Sequence, residues 1–182
     1  MPEPEVLLQY ILREIAYEKD LAGKRVLVTA GPTREAIDPV RFITNHSTGR
    51  MGYAIAKMAM LRGAAVTLVS GPVAIEPPMF VDTIAVESAQ AMYEAVMAHA
   101  KEADIIIKSA AVADYAPAQV SPEKIKKSEG DASIALTRTK DILAALGEKK
   151  REDQFICGFA METEHLLENA TAKREKKNVD MI

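Results

Sequence analysis

The chain has 182 residues, of which 48% are hydrophobic and 27% charged, a composition typical of one globular domain with a substantial core. Its formal net charge of −3 gives no general attraction to nucleic acid or to an anionic membrane, so we expect neither as a partner. A single cysteine, Cys157, excludes an internal disulfide and favours a reducing, cytoplasmic setting, and no apolar run reaches the roughly 18 residues of a membrane span.

Residues 1–23 differ from the rest, because a helical stripe of leucine and isoleucine precedes Gly23 and predicts a short helix that leads into a linker. From residue 24 onward, short β-rich runs alternate with segments of helical periodicity. The predicted strands are 24–30, 64–71, 81–87, one that begins at 103, 154–161 and 179–182, and the predicted helices are 49–61, 88–101, 141–149 and 163–177. This alternation predicts an α/β fold, with a Rossmann-like, mostly parallel sheet and helices on both faces.

Residues 123–141 break the alternation. Two short runs surround Ser128-Glu129-Gly130-Asp131, which predicts an exposed antiparallel hairpin, here called the flap. The flap carries a lysine cluster that includes Lys124. Such a cluster is usually a solvated surface, but a mobile basic flap beside a phosphate site can also close a phosphoryl or nucleotidyl transfer centre.

The segment NHSTGRMG, residues 45–52, precedes a predicted helix. A helix N-terminus offers free N–H groups and the positive end of the helix dipole, and both suit phosphate. Gly49 and Gly52 would let the backbone approach a ligand, and Ser47 adds a hydroxyl group. The ordinary alternative is that Ser47 or Thr48 simply caps the helix, and the residues alone leave both interpretations open.

A dinucleotide-binding oxidoreductase is a weaker interpretation. The insertion 31–42 separates the glycine pair from the first strand, the full G-x-G-x-x-G pattern is absent, and the second strand ends without an acidic residue for a ribose. Tyr53 and Lys57 form a Y-x-x-x-K pair as in short-chain dehydrogenases, but they lie on the first helix rather than a later one. We interpret them as two neighbours one helical turn apart. A P-loop motif is also absent.

Further candidates follow the later strands. Ala110, Ala111 and Asp114 come after the strand that begins at 103, where small residues would let a ligand lie on the backbone. Phe159 ends a strand and could stack on a base, and Lys173 and Lys177 share a helix face. Their ordinary roles would be a capping aspartate, core packing and a charged surface. We place Cys157 in the core, and the three histidines lack the spacing of metal ligands.

Five motifs occur in one order along the chain: VLVTAGPTREAIDPVRFITNHSTGRMGYAIA, SAAVADY, PEKIKK, GFAMET and ATAKREKKNVD. Over residues 24–182 the chain therefore resembles the bacterial phosphopantothenoylcysteine synthetase family. The resemblance implies a ligase of coenzyme A biosynthesis that joins 4′-phosphopantothenate to L-cysteine through an acyl-cytidylate. CTP and Mg²⁺ would be required, and pyrophosphate and CMP would be released.

The resemblance also implies a homodimer that is fused to, or associated with, a flavin-dependent phosphopantothenoylcysteine decarboxylase. Residues 1–23 would then form the junction with that decarboxylase. Family members usually continue beyond the position of Ile182, so we expect residues 24–182 to be a ligase domain shortened at its C-terminus.

The resemblance assigns roles to individual residues. It implies that Asn45 and Lys124 are catalytic. The implied nucleotide and phosphate contacts are Gly31, Ser47, Gly49, Gly52, Lys108, Ser109, Ala110, Asp114, Phe159, Lys173 and Lys177. The implied phosphopantothenate contacts are Asn45, Ala110, Ala111 and Asp114. Two alternatives stay open, a nucleotide-binding module without catalysis and a Rossmann oxidoreductase.

Overall fold

The computed structural model describes residues 2–127, 130–161 and 166–182. In chain order its elements are α1 (Pro4–Ile15), β1 (Arg25–Ala30), β2 (Arg34–Ala36), β3 (Phe42–Thr44), α2 (Arg50–Leu61), β4 (Ala65–Ser70), β5 (Asp82–Ala85), α3 (Ala89–Ala100), β6 (Ile105–Lys108), β7 (Tyr115–Pro117), β8 (Leu136–Arg138), α4 (Ile142–Glu148), β9 (Phe155–Gly158) and α5 (Leu166–Lys177).

The main sheet is parallel, with the strand order β5-β4-β1-β6-β9. Val26 of β1 is in register with Val66 of β4 on one side and with Ile105 of β6 on the other. The chain runs outward from β1 in one direction and then returns to β6, so the topology reverses between these two strands. Ligands of such sheets bind beyond the carboxyl ends of the strands at this reversal. The predicted α/β fold is confirmed.

The sheet has an apolar layer on each face because successive side chains of a strand point to opposite sides. Val26, Val28 and Ala30 of β1 pack with residues of α2 in one cluster. Leu27, between them, belongs to a second cluster that contains residues of α3 and α4. Helices therefore cover both faces, as predicted, and Cys157 is buried and free.

Two small antiparallel ribbons lie outside the main sheet. The insertion 31–42 contains most of the first, in which β2 pairs with β3. The second pairs β7 with β8, and Ala118 N donates to Ala135 O at 2.9 Å beyond the paired residues. The predicted antiparallel flap within 123–141 is therefore present as part of a ribbon, but it is not a hairpin of its own two runs, because its second run pairs with Tyr115–Pro117. Ser128 and Glu129, at the predicted turn, lie outside the described residues.

The two ends of the chain follow the prediction in part. The predicted N-terminal helix is α1, and its Tyr10 ring meets the Phe80 ring edge to face at 4.8 Å. Near the C-terminus, Met181 forms an isolated parallel bridge with Cys157 rather than a full strand. Among the described residues, no helix combines the length and apolar character that a bilayer crossing requires.

Candidate functional site

Two glycines bring the loop after β1 against the loop before α2. Gly31 and Gly49 both have positive φ angles, +76° and +74°, and a Cβ on either would come within 2.8 Å of Val73 Cγ1. A Cβ on Gly49 would also lie 3.3 Å from Gly31 N. Only glycine fits this crossing without strain. Gly49 is the N-cap of α2 and makes no side-chain cap, so Ser47 and Thr48 do not cap the helix.

Gly52 packs the first turn of α2 onto the sheet. A Cβ there would lie 2.5 Å from Ala30 Cβ, 2.7 Å from Ser109 Oγ and 2.9 Å from Thr29 O. The space that a Cβ of residue 52 would occupy is therefore filled by other protein atoms. The first N–H groups of α2 have no partner within the helix, by helix geometry, and this packing holds them beside the carboxyl end of β1.

The loop after β6 is joined to the end of β1 by hydrogen bonds. Ser109 Oγ donates to Thr29 O at 2.6 Å, and Ala110 N donates to Thr29 Oγ1 at 3.1 Å. Ala111 N then donates to Gly31 O at 2.9 Å. The predicted residues Ser109, Ala110 and Ala111 thus lie at the topological reversal, next to the glycine crossing.

Asn45 is tied to the same loop. Its Nδ2 donates to Ala111 O at 3.3 Å and to Val112 O at 3.1 Å. The Asn45 amide oxygen has no partner among the described residues. The structure therefore places Asn45 beside Ala111, which was predicted to contact phosphopantothenate, with an acceptor atom left for a ligand.

A cavity of about 380 Å³ opens at the carboxyl ends of β6 and β9. Four predicted residues line it: Lys108, Asp114, Phe159 and Lys173. Eight further lining residues were not identified from the sequence, among them Arg138, Thr139, Lys140 and Asp141. The lining therefore carries four cationic and two acidic side chains together with two aromatic rings, those of Tyr115 and Phe159, which suits an anionic ligand that has a planar group.

The charges around this cavity act on one another. Burial lowers the pKa of the Lys108 ammonium, the Asp141 carboxylate opposes this, and the Lys173 charge lowers it further. Burial raises the pKa of Asp141, but hydrogen bonds from Lys177 and from Ala144 N outweigh it, so the pKa is lowered overall. Lys177 is thus paired with Asp141 at the cavity wall. Within the described part of the chain, neither Arg138 nor Lys173 forms an ion pair.

The missed residues had only weak signals in the sequence. Asp141 caps α4 by accepting from Ala144 N at 2.9 Å, and an aspartate before an apolar run is a recognisable cap. Lys140 Nζ lies 4.7 Å from the centre of the Tyr93 ring, a contact that no local pattern predicts. Arg138 reaches the cavity through the pairing of β8 with β7, which was also missed.

Three further expectations concern residues outside the cavity lining. Lys124 is exposed and does not line the 380 Å³ cavity. Tyr53 is buried and its hydroxyl donates to Ser70 Oγ at 3.0 Å, so the Tyr53 and Lys57 pair is not arranged as a dehydrogenase site. In residues 2–127, 130–161 and 166–182, no group of three or more histidine, cysteine or acidic side chains could hold a metal ion.

Comparisons with known proteins agree with this arrangement. The family model described as "DNA/pantothenate metabolism flavoprotein C-terminal domain" matches residues 21–182. The chain is 48% identical to the coenzyme A biosynthesis bifunctional protein CoaBC of Vibrio vulnificus (strain YJ016), over all of this chain and 46% of that protein. It therefore spans about half the length of that relative.

Two solved structures share this fold, and the one with higher identity supports the same family. A crystal structure of the C-terminal domain of a bifunctional CoaBC protein has a TM-score of 0.78 and 53% identity, over 88% of this chain and 76% of that chain. A Cab2 variant in complex with phosphopantothenate-cysteine has the same fold, with a TM-score of 0.75 and 18% identity over 100% of this chain and 80% of that chain. The family resemblance drawn from the five motifs is confirmed. The chain belongs to the family of DNA/pantothenate metabolism flavoprotein C-terminal domains.

Proposed function

We propose that this chain is a CTP-dependent ligase that joins 4′-phosphopantothenate to L-cysteine in coenzyme A biosynthesis. The observation that carries the proposal is the position of residues 109–114, which run from the glycine crossing to the cationic cavity. An acyl substrate that lies along this loop has an anion-binding helix end on one side and a nucleotide-sized cavity on the other. The sequence family and the ligand of the Cab2 structure support the choice of substrate.

The first step activates a carboxylate. The phosphopantothenate carboxylate attacks the α-phosphate of CTP and pyrophosphate leaves, which creates an acyl-cytidylate. Charge on the transferring phosphate is offset by the N-terminus of α2 and by cationic groups of the cavity, among them Lys108 and Lys173. Phe159 is 43% exposed and lines the cavity, so its ring is available to stack on cytosine.

The second step forms the amide. The cysteine amine attacks the acyl carbon, and CMP leaves. Asn45 lies beside Ala111 and would hydrogen-bond the acyl oxygen as its charge changes. Because Nδ2 already donates to two carbonyl groups, contact with the acyl oxygen replaces one of those bonds. The longer one, 3.3 Å to Ala111 O, is the bond that we expect to be given up.

The residues fit Mg²⁺ that arrives with the nucleotide. Mg²⁺ is usually bound by one or two carboxylates, phosphate oxygens and waters rather than by a protein cage. Asp114 lines the cavity and forms no ion pair among the described residues, so it would be the protein ligand. Bound there, the ion would neutralise phosphate charge.

We also expect a homodimer that works together with a flavin-dependent decarboxylase in the cytoplasm. Exposed apolar side chains on the two ribbons support self-association, with Phe42 at 44%, Tyr115 at 45% and Leu136 at 49% exposure. Lys124 lies outside the cavity of its own subunit, which fits a flap that closes a partner's site. The name of the Vibrio vulnificus relative describes a bifunctional protein, which supports a second activity alongside this one.

Calorimetry with CTP, combined with a pyrophosphate-release assay, tests the proposal against a binding module without catalysis. We expect CTP binding, and pyrophosphate release only when 4′-phosphopantothenate is present. Binding of CTP without pyrophosphate release under those conditions would contradict the ligase and favour the binding module.

A further inference from the structure

The turn between β2 and β3 holds the flap beside Lys124. Ile125 N donates to Asp38 Oδ2 at 3.1 Å, and Arg41 Nη2 donates to Ile125 O at 2.9 Å. Both backbone polar groups of Ile125 are therefore bound to one pair of side chains in the turn. Ile125 directly follows Lys124, so this contact fixes the backbone next to the proposed catalytic lysine.

The two oxygens of the Asp38 carboxylate have separate tasks. Oδ1 accepts from Val40 N at 2.8 Å and from Arg41 N at 2.9 Å, which stabilises the turn itself. Oδ2 accepts from Ile125 N and from the Arg41 guanidinium, with Arg41 Nε at 3.0 Å. One oxygen thus holds the turn, and the other holds the flap.

The contact has the features of a persistent structure. The Asp38 side chain is fully buried. Hydrogen bonds from the Arg41 guanidinium, helped by those from backbone N–H groups, hold the pKa of Asp38 well below its usual range, so the carboxylate stays ionised. A second tie lies close by, where Ser121 N donates to Ile37 O at 3.0 Å.

We infer that Asp38, together with Arg41, is a positioning residue for Lys124. The two side chains clamp the backbone of Ile125 to the β2–β3 turn and so fix the position of the Lys124 backbone. This inference rests on the proposed function, because it gives Lys124 a catalytic role. A lysine side chain has four rotatable bonds, so its ammonium reaches a defined point only when its backbone is anchored. The clamp supplies that anchor in a segment where residues 121–127 form no helix or strand.

Asp38→Asn separates the two tasks of the carboxylate. An asparagine can keep the Oδ1 acceptor that the turn uses, while its NH₂ group cannot accept from Ile125 N. We expect the variant to fold, to keep its KM for CTP and to lose about 10²-fold in kcat, the scale of a misplaced catalytic group. Asp20→Asn is the matched control, because Asp20 also pairs with an arginine, Arg62, and lies far from the flap in sequence.

Combination with Lys124→Ala shows whether Asp38 acts through the lysine. If it does, Asp38→Asn lowers kcat by less than about twofold in the Lys124→Ala background, because the positioned group is already gone. A full 10²-fold loss in that background, or normal turnover of the single variant, would overturn the inference. Arg41→Lys, which gives up the contact with Ile125 O, is the second variant, and we expect the same pattern from it.

Hydrogen exchange at the Ile125 amide makes the test independent of activity. We expect this amide to be protected in the wild type and in Asp20→Asn, and to exchange faster in Asp38→Asn. Equal protection in all three proteins would overturn the clamp even if the ligase activity is present. Absence of CMP release by a wild type whose Ile125 amide is protected would instead refute the proposed function and the catalytic role of Lys124.

Discussion

Asn45 and Lys124 are held by the fold in different ways. Asn45 donates to the carbonyl groups of Ala111 and Val112, so its position is set by the loop after β6. The Lys124 side chain is exposed and has no partner among the described residues, so its position depends on the backbone that carries it. The two residues should therefore respond differently to substitution.

Lys124→Ala should abolish most of the ligase activity and leave the fold intact. An exposed side chain without partners contributes little to the free energy of unfolding, and surface substitutions of this kind usually change it by less than about 0.5 kcal/mol. Lys126→Ala, in the same exposed segment, is the control and should retain activity. Thermal unfolding together with turnover measures both effects, and a variant that unfolds, or one that turns over normally, would exclude a catalytic role.

Asn45→Ala should separate nucleotide binding from chemistry. We expect CTP to bind almost normally, because Asn45 does not itself line the cationic cavity and meets it only through the carbonyl group of Val112. The overall rate should fall about 10²–10³-fold, as when one donor to a developing oxyanion is removed.

Calorimetry measures the CTP binding of Asn45→Ala. Exchange of labelled pyrophosphate into CTP, with phosphopantothenate present and cysteine absent, measures the activation step. If Asn45→Ala abolished CTP binding, Asn45 would belong to the nucleotide site or to the fold, and its role at the intermediate would be withdrawn.

At the scale of secondary-structure elements, α4 and α5 form one wall of the cationic cavity. Asp141 caps α4 and pairs with Lys177 of α5, and Asn178 Nδ2 donates to Gly147 O at 2.8 Å at the other end of α4. The cavity wall therefore depends on a helix cap, because Asp141, the N-cap of α4, also pairs with the Lys177 ammonium of α5.

Asp141→Ala should lower the free energy of unfolding by about 1 kcal/mol, the usual cost of a lost cap. The pKa of Asp141 is lowered in the folded state. Its stabilising contribution is therefore fully present above the pKa of an unfolded aspartate, about 3.9, and is lost as the pH falls through the lower pKa of the folded state. Urea unfolding should thus show a difference from wild type at about pH 6 that shrinks at about pH 3.

Ser88→Ala is the matched control, because Ser88 caps α3 by accepting from Ala91 N at 3.1 Å and does not titrate in this range. The loss of unfolding free energy in Ser88→Ala, relative to wild type at the same pH, should be equal at both pH values. A cost for Asp141→Ala that is equally independent of pH would show that the carboxylate is not the stabilising group.

At the scale of the whole molecule, the two ribbons should pair subunits. Their exposed apolar residues lie on short strands outside the main sheet, and isolated ribbons of this length are marginally stable in water. Sedimentation at micromolar concentration should give a dimer, and Phe42→Lys should shift the equilibrium toward monomer. A wild-type protein that sediments only as a monomer would contradict this expectation.

The sequence predicted the main sheet because its signals are local. Val26 to Ala30 form one continuous buried run, and both edge strands of the sheet, β5 and β9, precede a helix. The pairing of β7 with β8 was missed because 18 residues separate these three-residue strands, and the turn signal at Ser128-Glu129-Gly130-Asp131 favoured a hairpin within 123–141 instead. Arg138 and Lys140 were missed for the same reason, since that pairing brings them to the cavity.

Conversion of CTP to CMP tests the central claim most directly. The protein should release CMP in equal amount to phosphopantothenoylcysteine only when CTP, 4′-phosphopantothenate and L-cysteine are all present. Omission of cysteine should stop CMP release while pyrophosphate exchange into CTP continues, because the acyl-cytidylate forms but is not consumed. CMP release that does not depend on phosphopantothenate, or no CMP from the complete mixture, would contradict the assignment of this chain as the ligase.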